Sequence, residues 1–172
     1  MGKFGNRKYT SDFKQQASEL ANKIGSRKAA EQLGVAVAEL IVTGHCHVNY
    51  ETVPSVIYTH PEVSSVGLTE VQAKERGIET AVGKFFFAAN GRAKAKGTTE
   101  GFVKIVTDKR TDKIIGGHIV AANSSELLGE IIVAMEFGGS SEDLARSFHS
   151  HPTMSEVICE AALAVDGRAR QG

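Results

Sequence analysis

The sequence predicts an α+β fold, an antiparallel sheet of about five strands packed with helices. Three observations predict it. Between residues 80 and 120, β-rich stretches alternate with turn chemistry at Asn90-Gly91, Lys96-Gly97-Thr98 and Asp108-Lys109-Arg110-Thr111-Asp112. Beyond residue 122 the periodicity becomes helical, with Leu127, Leu128, Ile131, Ile132, Ala134 and Met135 making a broad apolar face. A hydrophobic fraction of 41% against 23% charged residues, over 172 positions, is enough for one ordinary core.

Residues 1–34 read as a basic helical extension, helix-turn-helix-like in layout. Thr10-Ser11-Asp12 can cap a run that places Phe13, Ala17, Leu20 and Ala21 on one face; Gly25 breaks it, Ser26 can cap Arg27–Leu33, and Gly34 stops it. Seven basic against three acidic side chains give this segment +4 and leave −4 on the remaining chain, beneath a formal net charge of zero. Arg7-Lys8-Tyr9-Thr10-Ser11-Asp12-Phe13-Lys14 and Lys28-Ala29-Ala30-Glu31-Gln32-Leu33-Gly34-Val35 resemble the N-terminal helix-turn-helix of insertion-sequence transposases. The following residues, Ala36-Val37-Ala38-Glu39-Leu40-Ile41-Val42, offer no Arg, Lys, Asn or Gln to base edges. That departure favours a plain helical or frayed, partly disordered extension over a DNA reader.

Residues 35–49 read as a linker or helix, 50–165 as the main domain and 166–172 as a flexible tail. Val53–Tyr58, interrupted by Pro54, suits an edge strand, and Ser64–Leu68 a second strand. Thr69-Glu70-Val71-Gln72 is a capping box opening a helix that Gly77 closes. Thr80–Phe87, Arg92–Lys96, Gly101–Thr107 and Ile114–Val120 read as strands of a meander. Phe85-Phe86-Phe87 breaks strict alternation, so one ring is expected at the surface. Asn123-Ser124-Ser125-Glu126 can cap a helix running to Phe137 and ended by Gly138-Gly139. Ser140-Ser141-Glu142-Asp143 caps a shorter helix, and Thr153-Met154-Ser155-Glu156 a last one.

Several function classes are excluded. No two of the 18 glycines lie two residues apart, so the dinucleotide-binding GxG turn is missing, and so are a phosphate loop and a GxSxG nucleophile elbow. Cys46 and Cys159 are far apart and read as free thiols, Cys159 as a small buried hydrophobe. His45-Cys46-His47 lacks the spacing and partners of a tetrahedral zinc site, so no metal is expected. No run of eighteen apolar residues exists, so no membrane span is expected, and the absence of a secretory-type start predicts a cytoplasmic protein. His60 and His118 read as structural residues at a strand end and within a sheet.

The concentrated chemical signal is His149-Ser150-His151-Pro152-Thr153-Met154-Ser155-Glu156. Histidine exchanges protons near neutral pH, and a carboxylate on one ring nitrogen fixes the tautomer and raises the basicity of the other. Pro152 stiffens the approach to a helix and could hold the His151 ring in place. The plainer alternative is local: Glu156 completes the capping box of Thr153, and the histidines lie in an exposed turn.

This octet resembles the C-terminal His-x-His-Pro-Thr…Glu segment of the dihydrolipoyl dehydrogenases, in the pyridine nucleotide-disulfide oxidoreductase family. Val53-Pro54-Ser55-Val56-Ile57-Tyr58-Thr59-His60-Pro61-Glu62-Val63, with Val66-Gly67, is similar to the segment that opens that family's dimerisation domain. Gly83-Lys84-Phe85-Phe86-Phe87-Ala88-Ala89-Asn90-Gly91-Arg92-Ala93 and Lys113-Ile114-Ile115-Gly116-Gly117-His118-Ile119-Val120 resemble its later strands, and the likeness runs in order over about residues 35–165. Phe86 stands where a Pro is common, and Ser124-Ser125 replace a glycine-containing pair.

The resemblance implies a fold of the reductase dimerisation-domain type and a homodimer, the apolar helix 124–137 belonging to the pairing surface. It implies that His151 is the acid/base serving a partner subunit's redox thiol and the dihydrolipoamide thiol. Glu156 would orient His151, His149 would support it, and the His151-Pro152 backbone would lie near the flavin. FAD and NAD are cofactors of the full-length family; these 172 residues contain neither their binding motifs nor the CxxxxC pair, so no cofactor binding or activity is expected of them alone. An FAD/NAD-domain polypeptide or a 2-oxoacid dehydrogenase complex are the further partners it implies. The alternative is a dimeric DNA-binding or regulatory protein using the basic head.

Overall fold

The computed structural model describes Gly34, residues 36–38, 41–42, 44–45 and 48–171. The chain divides into two compact units, Met1–Tyr50 and Glu51–Gly172. In the first, residues 36–38 and 41–42 are helical. The helices expected at 10–21 and 27–33, their helix-turn-helix reading, and Cys46 and His47 lie outside the described residues.

In the second unit five strands form one antiparallel sheet: β1 (Ser55–Ile57), β2 (Glu62–Gly67), β3 (Thr80–Phe86), β4 (Phe102–Asp108) and β5 (Ile114–Ala121). Their spatial order is β1-β2-β5-β4-β3. The meander β3-β4-β5 is local, and β1 is an edge strand as Pro54 foretells. The pairing of β2 with β5 (Val66 opposite Gly117, Ser64 opposite Ile119) joins segments distant in the chain.

Five α-helices complete the unit among the described residues: α1 (Glu70–Glu75), α2 (Gly91–Lys96), α3 (Ser124–Glu136), α4 (Ser141–Arg146) and α5 (Glu156–Ala164). The capping box expected at Thr69 forms, and the cap expected at Ser140 is a capping box as well. Thr69 and Gln72 exchange side-chain and backbone bonds at the start of α1, and Ser140 and Asp143 do the same for α4.

The expected strand Arg92–Lys96 is instead helix α2. Asn90-Gly91 does not make a hairpin turn. The Asn90 side chain caps the helix, its Oδ1 accepting from Ala93 N–H at 2.8 Å. Ala93 is buried while Arg92, Lys94, Ala95 and Lys96 face solvent, and Gly97 ends the turn in the left-handed region at φ 69°. Asn123 is a second correction: it adopts φ 62° and its side chain does not cap α3. Glu62, on β2, takes that role by accepting from Ser125 N–H at 3.0 Å.

Helix α3 packs on β2 and β5, and α5 on β3 and β4. Val103, Ile105, Ile119, Ile131, Val157 and Ile158 are fully buried between helices and sheet. Each such side chain contributes about 1.5–3 kcal/mol on burial. Two glycines set the approach distances. A Cβ on Gly83 would sit 2.0 Å from the Ala161 carbonyl of α5, and one on Gly117 would sit 2.7 Å from Ile131 Cγ2 of α3.

The opposite face of the sheet carries an apolar row crossing all five strands, Ile57–Val63–Val120–Phe102–Phe86. Phe86 is the exposed member of the phenylalanine triplet, at 54%, while Phe85 and Phe87 are buried. The Lys84 ammonium lies 4.6 Å from the Phe86 ring centre and 4.0 Å from that of Phe102.

Candidate functional site

The His149–Glu156 octet spans the connection between α4 and α5 and the first residue of α5. His151 Nδ1 lies 2.9 Å from Glu156 Oε1. The second oxygen of Glu156, Oε2, accepts from Thr153 N–H at 2.8 Å. One carboxylate thus holds both the ring and the turn that presents it. This is the backbone half of the expected capping box; the Thr153 hydroxyl makes no bond into the helix and instead donates to Ser150 O at 2.6 Å. The helix starts at Glu156, and Ser155 provides no side-chain cap.

Exposure separates the two histidines. The His151 side chain is 78% exposed and Glu156 23%. The His149 ring is only 8% exposed and lies with Nε2 2.6 Å from Glu130 Oε1 of α3 and Nδ1 3.0 Å from Ser147 O. The His151–Pro152 peptide bond is cis. Partial burial pushes the Glu156 carboxyl up, but the Thr153 N–H and the His151 ring outweigh it and hold it below its ordinary value. The carboxylate is therefore ionised at neutral pH and accepts from His151 Nδ1–H. That leaves Nε2, which has no partner among the described residues, on the open side of the ring, where an imidazole can exchange a proton with a second molecule.

A residue that sequence reasoning placed in a turn also belongs to this site. Asn90, 3% exposed, donates through Nδ2 to Thr153 O at 3.1 Å while its Oδ1 caps α2. Its signal in the sequence was the run Arg92-Ala93-Lys94-Ala95-Lys96 behind it, composed of strong helix formers.

Of the other candidates, His60 and His118 lie apart from this site, whereas Cys159 lines the same cleft as His149 and Glu156. His118, on β5, faces Lys104 across the ladder. Its burial, and then the charge of Lys104, push it down to about 4. Cys159 is partly buried, its thiol 3.6 Å from Ala145 O, and burial followed by the Glu160 charge pushes it up, away from the reactive thiolate. His60 is exposed at a strand connection. No cluster of three or more metal-ligating side chains occurs among the described residues.

Residues 53–162 match the model of the pyridine nucleotide-disulphide oxidoreductase dimerisation domain. The chain belongs to this family. It is 56% identical over 135 residues to dihydrolipoyl dehydrogenase 1, mitochondrial, of Arabidopsis thaliana, covering 78% of this chain and 27% of the relative. With the dihydrolipoyl dehydrogenase of Cupriavidus necator it shares 56% identity over 139 residues, covering 81% of this chain and 29% of the relative. Among solved structures, the Cu(II) complex of the HOCl-induced flavoprotein disulfide reductase RclA from Escherichia coli superposes with a TM-score of 0.70 at 26% identity, covering 80% of this chain and 31% of that one. LpdA from Mycobacterium tuberculosis superposes at 0.65 with 29% identity, covering 80% and 28% respectively. The chain therefore spans under a third of the length of each of these relatives. It has the sequence and fold of the dimerisation domain of a dihydrolipoyl dehydrogenase-like disulfide oxidoreductase.

Proposed function

We propose that this chain supplies the His151–Glu156 acid/base pair to the redox centre of a partner subunit in a dihydrolipoyl dehydrogenase-like homodimer. The observation that carries this reading is the geometry of one ring: His151 is fixed through Nδ1 by an ionised carboxylate 2.9 Å away, while the rest of it is open to a second molecule. An imidazole so held takes a proton at Nε2 from a thiol and returns it, Glu156 stabilising the cation formed in between.

The exposed edge at His151–Pro152 fits a cofactor held by other domains. The N–H of His151 and the carbonyl of Pro152 are engaged by no other backbone group of the described residues. They suit hydrogen bonding to the rim of a flavin, whereas the glycine-rich turns that would grip its phosphates are not in these 172 residues. A flavin held by other domains would supply the electron transfer between a dithiol and the nicotinamide of NAD. This chain handles the proton and positions the ring.

Apolar surface supports the pairing. Val133 and Phe137 project from the end of α3 region, and Ile57, Val63 and Phe86 from the open sheet face, all exposed. Sedimentation at micromolar concentration is expected to give a dimer; a monomer contradicts the pairing. The chain alone, mixed with FAD, NADH and lipoamide, is expected to oxidise no NADH, and turnover would overturn the reading. The proton role is tested by placing residues 53–162 in the corresponding positions of the Cupriavidus necator enzyme and measuring turnover with and without His151.

A further inference from the structure

The segment carrying His151 has little backbone anchorage. Among the described residues, Ser147 N–H donates back to Asp143 O and Leu144 O, and the next backbone donation to a backbone oxygen is Val157 N–H to Met154 O at 3.2 Å. Between them the chain is fastened by side chains. On the C-terminal side of His151, Asn90 holds Thr153 O and Glu156 holds Thr153 N–H. On the N-terminal side, Phe148 and Ser150 are exposed, and the tie to the body of the domain is His149.

The His149 contacts are chemically specific. Ser147 O and the Glu130 carboxylate are both acceptors. A neutral imidazole has one N–H and can serve one of them; an imidazolium serves both. With a ring 8% exposed and a separation of 2.6 Å, the pair His149–Glu130 is a close bond between a half-buried mid-helix carboxylate and an otherwise loosely fastened loop.

We propose that Glu130 is a positioning residue. Through His149 it fixes where the chain approaches His151, so that the His151 ring meets Glu156 in a single orientation. Glu130 bonds to His149 and not to His151, so its effect is transmitted by two residues of backbone. The proposal rests on the reading of His151 as the acid/base and concerns how that ring is aimed.

The test is the tautomer of His151 in the full chain labelled with ¹⁵N, read at neutral pH from long-range proton–nitrogen spectra of the imidazole rings. In the wild type His151 is expected in the Nδ1–H form. Glu130→Leu is expected to lose that preference, leaving a mixture of the two tautomers, with the amide spectrum of the sheet unchanged. Glu130→Gln keeps an acceptor for His149 and is expected to restore the Nδ1–H form. His149→Asn, which shortens the tie from the loop side without altering α3, is expected to act like Glu130→Leu and serves if that variant fails to fold. A wild-type His151 without a tautomer preference, or a preference unmoved by Glu130→Leu or by His149→Asn in a folded chain, overturns the proposal. The spectra need no flavin, so this outcome is independent of whether His151 supports turnover.

Discussion

Asn90→Ala tests the link between fold and site. The variant removes two bonds at once. Losing the Oδ1 cap on Ala93 N–H costs about 1 kcal/mol. Losing the Nδ2 donor to Thr153 O costs about 1 kcal/mol more, because a partly buried carbonyl is left without its partner. The sum, about 2 kcal/mol, lowers the melting temperature of a unit of this size by roughly 8 °C. Asn90→Ser separates the two losses. Serine caps a helix well but is too short to reach Thr153, so it is expected to cost about half as much. Urea denaturation measures both, with the dependence on denaturant unchanged between variants. An alanine variant within about 0.5 kcal/mol of wild type, or a serine variant as unstable as alanine, refutes the double role of Asn90.

Three further outcomes are expected. His118 is partly buried, with a folded value of about 4 against an ordinary 6.5, so the unfolded chain takes up a proton between these limits that the folded chain refuses. Stability is full above pH 6.5 and falls by about 3 kcal/mol toward pH 4, as urea titrations should show; a slope identical in His118→Leu contradicts this. Glu156 has the opposite starting point: its value is depressed, so its contribution is present above the ordinary 4.5 and is lost as pH falls through the folded value. Wild type and Glu156→Gln should therefore converge in stability at low pH, and a constant difference across the range would count against the pair. Gly83→Ala drives a Cβ into the backbone of α5 and should cost about 2 kcal/mol or more, whereas Gly117→Ala meets only side-chain atoms of Ile131 and at a longer distance, and should cost less. Equal losses on thermal melting contradict that ranking.

The sequence was most readable where structure depends on neighbours within four residues. The capping boxes at Thr69 and Ser140 and the exposed Phe86 all follow from such local rules. Local rules also misled at Asn90-Gly91. The same dipeptide suits a hairpin turn and a helix start, and the choice was decided by Ala93 and Thr153, the second of them 63 positions away. The His151–Glu156 pair was legible because five residues of turn and helix start bring the two together. The His149–Glu130 bond was not. Its partners are 19 positions apart on separate elements, and the helical period of α3 says which face Glu130 occupies but not which loop crosses it. The same holds for β2, whose pairing with β5 is set by packing under α3 and not by a turn.

Turnover of the Cupriavidus necator chimera carrying residues 53–162 reads out the proton-carrying role of the His151 ring. The chimera with His151 is expected to reduce NAD with dihydrolipoamide, and His151→Gln, still dimeric and still binding flavin, to lose about 100-fold or more of that rate, the usual contribution of general acid–base catalysis. A His151→Gln chimera that turns over at the rate of its parent contradicts an acid/base role for His151.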